Sequence, residues 1–281
     1  MNALEALESH GPAWRDWLLD NLTKQCRPHD LLVDMMKGGW LVQQAELALS
    51  QGQALLNQPA SRTILRPTIG PSNQLHVNGQ DIRVMSRLTN PQAVVIAEVL
   101  SSEECEELIA LAMSKGLNAS DVVDNDSGER VLHQGRTSTS TNLTKAENTL
   151  VARIEQRLAD LTAWPVSHGE GLQVLRYTPG QEYRPHFDWF DPSAKGASLH
   201  LQNGGQRVAT TVIYLRVAEE GGGTLFPEVG FEACPPQGGA VFFNNLDPYG
   251  AEDRLSLHAG SPVTRGTKVV CTYWQRERPF Q

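Results

Sequence analysis

Thr267-Lys268-Val269-Val270-Cys271-Thr272-Tyr273-Trp274 is the stretch whose reading decides the fold. β-Branched and aromatic residues dominate it, and a pleated strand here puts Val269, Cys271 and Tyr273 on one face. Lys268, Val270, Thr272 and Trp274 fall on the other. Both faces are mainly apolar, so the strand is expected to be covered on both sides. Working outwards, short strands parted by Gly and Pro turns reach back to Trp164-Pro165, with strands expected at 172–177, 183–188, 208–217, 240–244 and 267–275. Val94-Val95-Ile96 reads as one more. Ser101-Ser102-Glu103-Glu104 is a capping box opening a helix with Cys105, Leu108, Ile109 and Ala112 on one face and Gly116 at its end. Thr144-Lys145-Ala146-Glu147 predicts a second such start, with Leu150, Val151, Ile154, Leu158 and Leu161 turned inward. Helices followed by many short strands indicate an α+β fold with the strands in a sandwich or barrel.

The first fifty residues differ in texture. Trp14, Trp17, Leu18 and Leu22 share a helical face after Pro12; a short helix from about Pro28 stops at Gly38-Gly39; a third runs from Trp40 through Leu49 towards Gly52. These helices form a small module, or their tryptophans pack on the main domain. Residues 53 to 80 carry Pro59, Pro67, Gly70 and Pro71 with little periodicity. The expected organisation is a helical module over 1–52, a linker or extended crossing segment over 53–80, and a main domain over 81–281.

With 281 residues, 40% hydrophobic and 20% charged, the chain has the composition of a globular protein with a sizeable core. Its 32 acidic against 24 basic residues give a net charge of −8, which argues against general binding to nucleic acid or to an anionic membrane. No apolar run approaches a transmembrane length, and Met1-Asn2-Ala3-Leu4-Glu5 lacks the regions of a signal peptide, so a cytoplasmic protein is expected. Cys26, Cys105, Cys234 and Cys271 are far apart without a CxxC and are expected to be buried free thiols.

His186-Phe187-Asp188, then His258, then Lys268 carry the chemistry. Two histidines and a carboxylate are the protein donors of a non-haem Fe(II) facial triad. Ligands at i and i+2 leave an extended backbone from the same face, and a distant strand can supply the third. His200 is the competitor for that third place, but no lysine follows it. Lys268, on the face of a buried strand, needs a partner, and an anionic co-substrate reaching the metal is a natural one. The alternative is a strand-start lysine whose amine snorkels to water. Tyr177, facing as Leu175 does, can donate to a carboxylate or be an ordinary strand-end tyrosine. His10, His29, His76, His133 and His168 lack ligand spacing.

Residues from about 93 to 280 resemble the catalytic domain of prolyl 4-hydroxylases, within the Fe(II)/2-oxoglutarate dioxygenases. The matching stretches are Arg136-Thr137-Ser138, Leu175 through Tyr183 (LRYTPGQEY), His186-Phe187-Asp188, Gly205 through Thr210 (GQRVAT), Tyr214-Leu215, Glu220 through Pro227 (EGGGTLFP), Ser256 through Val263 (SLHAGSPV), Gly266-Thr267-Lys268 and Thr272-Tyr273-Trp274. The resemblance implies a double-stranded β-helix, or jelly-roll, with supporting helices. It implies His186, Asp188 and His258 as iron ligands, Lys268 as the base pairing with the distal carboxylate of 2-oxoglutarate, Tyr177 as a further hydrogen bond to it, and Thr224 beside the same pocket. Fe(II), with 2-oxoglutarate and O2 as co-substrates, follows, and the resemblance also allows ascorbate. Arg207 matches an arginine that some members use to hold a peptide; Arg136 and Trp274 join it as candidate substrate residues.

Two features depart from the family pattern. Arg276 stands eight residues after Lys268, and the Gly/Ser/Asn-rich run from Phe190 to Gly204 reads as a lid. They leave the iron chemistry intact and bear on the substrate. The expected activity is hydroxylation of a prolyl residue in a peptide or protein. The alternatives are hydroxylation of a free amino acid or a peptide-like natural product, and a jelly-roll binding module without oxygenase activity.

Overall fold

The computed structural model describes residues 5–56, 66–123, 130–132, 135–248 and 250–281. The chain divides into two units, Met1–Leu65 with Leu246–Leu255, and Arg66–Asn245 with Ser256–Gln281. In the first, helices α1 (Glu5–Glu8), α2 (Pro12–Thr23), α3 (Pro28–Lys37) and α4 (Val42–Leu55) follow one another. Prolines open α2 and α3, where a missing N–H costs nothing. Leu18, Leu22, Leu31, Met35, Trp40 and Leu49 bury one apolar cluster, and Trp14 and Trp17 pack against it. The tryptophans therefore serve the helical unit itself. α4 runs past Gly52, which is buried within it, to Leu55.

Residues 246–255, read from sequence as part of the main domain, fold with the helices instead. The reason is polar. His29 on α3 is buried, with Nε2 2.7 Å from Asp253 Oδ1 and Nδ1 3.9 Å from Asp247 Oδ2. Two buried carboxylates need such a partner.

The second unit is built on a nine-stranded antiparallel sheet. Its order is Gln74–Val77, Gln80–Leu88, Ala93–Ala97, Ala240–Asn244, Arg207–Arg216, Lys268–Arg276, Gln173–Tyr177, Thr139–Asn142 and Asn118–Ala119. A smaller sheet orders Phe231–Ala233, Thr224–Phe226, His258–Gly260 and Tyr183–His186. The alternation of the last strand sets the layers. Val269, Cys271 and Tyr273 join a core with Leu108 and Ile109 of α5 (Ser102–Lys115) and Ile154 and Leu158 of α6 (Thr149–Leu161). Val270 faces the other way, into a core with Leu175, Tyr177, Tyr214, Phe226 and Phe243. The strand is covered on both sides, and the second core lines the jelly-roll's interior.

Ser101 caps α5 through the full capping box. The box at 144–147 is different. Thr144 and Glu147 do bond, but Ala146 takes φ 50, and α6 starts only after Asn148, whose side chain accepts from Val151 N. Within the stretch read as a linker, 57–65 lie outside the described residues, and Gln74–Val77 pairs with Gln80–Leu88 through a turn at Asn78-Gly79. Both turn residues have positive φ, 51 and 74, as a two-residue hairpin requires. The strand expected over 183–188 ends at His186. The 190–204 run, expected as a lid, holds the short helix α7 (Ala197–Gln202). Arg276 Nη2 donates to His200 O and Asn203 O at 2.6 Å each, and Gln206 brackets Phe190 at both N and O. Of the cysteines, Cys105 and Cys271 are buried, but Cys234 is exposed, and His133 lies outside the described residues. Among the described residues no helix is long and apolar enough to cross a membrane.

Candidate active site

Two strands of the smaller sheet bring the histidines together. His186 closes one strand, His258 opens the next, and the two are direct partners in the antiparallel register. Asp188 lies in the bend beyond the strand, yet its carboxylate reaches both rings. Oδ1 is 3.7 Å from His186 Nε2 and Oδ2 3.6 Å from His258 Nε2. One donor atom from each of the three falls within 4.8 Å of the others.

The second ring nitrogens fix the tautomers. Each Nδ1 lies 2.9 Å from a carbonyl two residues back, Arg184 O for His186 and Ser256 O for His258. A carbonyl only accepts, so Nδ1 carries the proton and Nε2 presents its lone pair. Burial, reinforced by His258, pushes the His186 imidazolium down to about 3, so the ring is neutral near pH 7. Burial would raise Asp188, but the field of His258 and His186, the Arg207 charge and a Thr210 hydrogen bond hold it at about 2. With Nδ1 turned to a carbonyl in each ring, both Nε2 atoms face the Asp188 carboxylate. A divalent cation resolves that arrangement, and the two-His, one-carboxylate donor set suits Fe(II).

Behind the carboxylate stands a chain that the sequence did not announce. Asn245 Nδ2 donates to Thr210 Oγ1 at 3.0 Å, and Thr210 Oγ1 donates to Asp188 Oδ2 at 2.7 Å. All three are buried, so the hydroxyl has one direction to point.

Lys268 sits opposite Tyr177 in the register of the major sheet. Its Nζ lies 5.2 Å from the Tyr177 ring centroid and 5.1 Å from that of Tyr214. It also borders Gly260, two residues beyond His258, where an added Cβ would lie 3.8 Å from Nζ. The residue is 3% exposed, and no described carboxylate forms an ion pair with it. Burial pulls the amine down to about 8, with Cys234 and Glu232 opposing the shift. Thr224 shares its hydroxyl with Tyr214 OH at 2.7 Å. Burial raises the Tyr177 phenol, which Ser138 and Arg136 hydrogen-bond.

The remaining candidates form a second cluster. Arg207 makes a fork on Glu170, Nε to Oε1 at 2.7 Å and Nη2 to Oε2 at 2.9 Å, and its guanidinium lies 4.0 Å from the Trp274 ring. Phe190 packs against the same cation at 4.9 Å. Arg136 donates to Gln173 Oε1 at 2.6 Å and covers Tyr183, which stacks on His186 at 3.5 Å. Glu170 and Tyr183 thus join the site unforeseen. His200 stays outside the triad, its ring stacked on Phe190.

The 2OG-Fe(II) oxygenase superfamily model matches residues 172–276. Probable prolyl 4-hydroxylase 3 of Arabidopsis thaliana is 39% identical over 203 residues, spanning 66% of this chain and 69% of that relative. The chain belongs to the prolyl 4-hydroxylase family. Prolyl 4-hydroxylase 5 of the same plant is 37% identical over 210 residues, spanning 68% of this chain and 70% of its own. The 2-oxoglutarate complex of a viral collagen prolyl hydroxylase from Paramecium Bursaria Chlorella virus-1 superposes with a TM-score of 0.51 at 30% identity, over 66% of this chain and 95% of that one.

As a member of this family, the chain is a 2-oxoglutarate-dependent dioxygenase, and His186, Asp188 and His258 are its Fe(II) site, with O2 the second co-substrate. Membership removes the binding-module alternative. One prediction arises from the buried chain behind Asp188. Thr210→Val keeps the volume and deletes the hydroxyl, freeing the carboxylate to rotate. Supporting partners of metal ligands are typically worth 10–100-fold. Fe(II) affinity of the apoprotein should fall by about tenfold, read by anaerobic titration, with 2-oxoglutarate affinity at saturating iron unchanged.

Proposed function

We propose that the enzyme hydroxylates prolyl residues within a peptide or protein, with Lys268, Tyr177 and Thr224 binding 2-oxoglutarate and Arg207, Trp274 and Arg136 binding the substrate. The observation that carries the substrate reading is Arg207 held 4.0 Å from the Trp274 ring while it forks onto Glu170, within the field of Asp188. An aromatic face packs well against a proline ring, and the guanidinium keeps N–H donors beyond the two spent on Glu170 for a neutral peptide carbonyl. The names of the relatives point the same way.

The division of labour follows from the two clusters. When bound, iron couples decarboxylation of 2-oxoglutarate to succinate and CO2 with transfer of one O2 oxygen into a substrate C–H bond. The chain's residues do the rest. His186, Asp188 and His258 hold the metal with their tautomers and charge already set. Lys268 offers its ammonium to the distal carboxylate, and Tyr177 a phenolic hydrogen bond. The apolar wall of Tyr214, Phe226 and Phe243 keeps water from the reacting atoms. Arg207 and Trp274 orient the target ring.

Arg207→Lys tests this reading. It keeps the charge but loses the planar fork, so the lysine cannot hold Glu170 and lie on Trp274 together. KM for a proline-containing peptide should rise several-fold, while 2-oxoglutarate decarboxylation without peptide, assayed with ascorbate, stays near wild type. Equal loss of both activities would make Arg207 a structural residue. Efficient turnover of free proline would favour the small-molecule substrate.

A further inference from the structure

We infer that Arg276 is a positioning residue for Arg207, and that it fastens α7 beside the substrate cluster. The inference rests on the reading of Arg207 and Trp274 as substrate residues. The two features that depart from the family pattern touch each other. Arg276 Nη2 donates to His200 O and Asn203 O, at the end of the 190–204 run, at 2.6 Å each. A short helix leaves its last carbonyls without donors of its own, and a guanidinium supplies two N–H groups from one nitrogen. The strand register places the same guanidinium next to Arg207. The two arginines are direct partners in the antiparallel pairing of Arg207–Arg216 with Lys268–Arg276. They share a carboxylate: Glu170 Oε1 accepts from Arg207 Nε at 2.7 Å and lies 3.4 Å from Arg276 Nε. They also share a ring, the Phe190 centroid being 4.9 Å from one guanidinium and 5.1 Å from the other. Like charges this close repel, so the place of one depends on where the other is held. Tying Arg276 to α7 therefore sets the position from which Arg207 meets Trp274.

The 190–204 run is fastened at both ends. Beyond Arg276, Arg278 N donates to Gly204 O at 2.8 Å and Arg278 Nη2 to Leu201 O at 3.1 Å. Asn203 Nδ2 donates to Gln281 O at 2.7 Å, and its Oδ1 accepts from Gln281 N at 3.0 Å. Gly204 permits the close approach. Its φ is 81, and a Cβ there would lie 3.1 Å from Arg276 and from Phe280. At the other end Gln206 holds Phe190 through both its N and its O. Arg276 is 2% exposed, so its charge-assisted bonds compete with little water. Removing its guanidinium frees the end of α7 and takes away one of the two cations around Glu170 and Phe190. Arg207 should then move on its remaining contacts, and the peptide should lose a fixed donor.

The test is steady-state kinetics of the full chain with the proline-containing peptide, joined to amide hydrogen exchange over 197–204. Arg276→Met keeps the stem of the side chain and removes the guanidinium. It should raise KM for the peptide by about three- to thirtyfold. The kcat at saturating peptide and KM for 2-oxoglutarate should stay within about twofold, and exchange over 197–204 should accelerate. Both Arg276→Met and Arg207→Lys act on one guanidinium, so together they should raise KM by less than the product of their single effects. If Arg276→Met does not fold, Asn203→Ala loosens the same fastening from an exposed position and should raise KM in the same direction, by a smaller factor. A wild-type peptide KM in the folded variant, single effects that multiply, or a parallel loss of kcat and 2-oxoglutarate binding overturns the inference. A wild-type peptide KM in Arg207→Lys would instead overturn the substrate reading, while exchange over 197–204 would still report whether Arg276 holds α7.

Discussion

Asp188→Ala is expected to abolish iron-dependent turnover and to remove measurable Fe(II) binding at micromolar metal. Asp188 supplies the one anionic donor of the triad, and its carboxylate touches the space before both imidazoles, with oxygens 3.7 and 3.6 Å from the two Nε2 atoms. The two histidines left behind are neutral donors alone, and a divalent ion bound by them keeps its full charge in a buried site. The fold should survive. Asp188 lies beyond the end of its strand, outside the ladders. The apoprotein loses chiefly the Thr210 hydrogen bond, a matter of about 1–3 kcal/mol. Thermal melting separates these effects. Ligand at a hundred times its Kd stabilises a wild-type protein by about 2.7 kcal/mol, so Fe(II) should raise the wild-type melting temperature and leave that of Asp188→Ala unmoved. A variant that keeps iron-dependent activity would place the metal elsewhere.

What the sequence disclosed was local in character. The last strand was readable because period-two alternation is written in consecutive residues, and its two faces do enter two cores. Ser101 was readable as a cap because donor and acceptor lie three residues apart. The same pattern at Thr144 misled, since Thr144 and Glu147 form a turn just as well. The Asn148 cap and the positive φ of Ala146 decide where α6 starts. Asn78-Gly79 was a legible hairpin signal inside a stretch read as linker, and the surrounding prolines obscured it.

The site divides in the same way. The triad and Lys268 stood out because their spacing matches a family whose chemistry needs those residues. Glu170 and Asn245 did not, because each matters through a distant partner. Glu170 lies 37 residues from Arg207 and Asn245 lies 35 from Thr210. Nothing near Glu170 in the chain marks it as the counter-ion of an arginine on another strand. The departure at Arg276 also acquired a purpose only in three dimensions, where its guanidinium pins the carbonyls at the end of α7.

Lys268→Ala is expected to raise the apparent KM for 2-oxoglutarate by at least tenfold while leaving Fe(II) affinity within about twofold. The lost interaction is a charge-assisted hydrogen bond worth about 1.5–3 kcal/mol, which corresponds to roughly 10- to 150-fold. Iron is spared because Lys268 approaches Gly260 and the tyrosine rings, while all three ligands come from other residues. Its burial adds a pH signature. The free amine titrates near 8 rather than at its ordinary 10.5 because burial penalises the ammonium. A base with a depressed pKa destabilises the fold while charged, so the apoprotein bears this cost below about pH 8 and is relieved of it as pH rises towards 10.5. Co-substrate binding runs in the opposite sense. The dianion needs the ammonium, so 2-oxoglutarate affinity should fall as pH rises through 8, and Lys268→Ala should lose that dependence along with most of the affinity. If affinity is unchanged and the pH profile is retained, the anchor lies elsewhere.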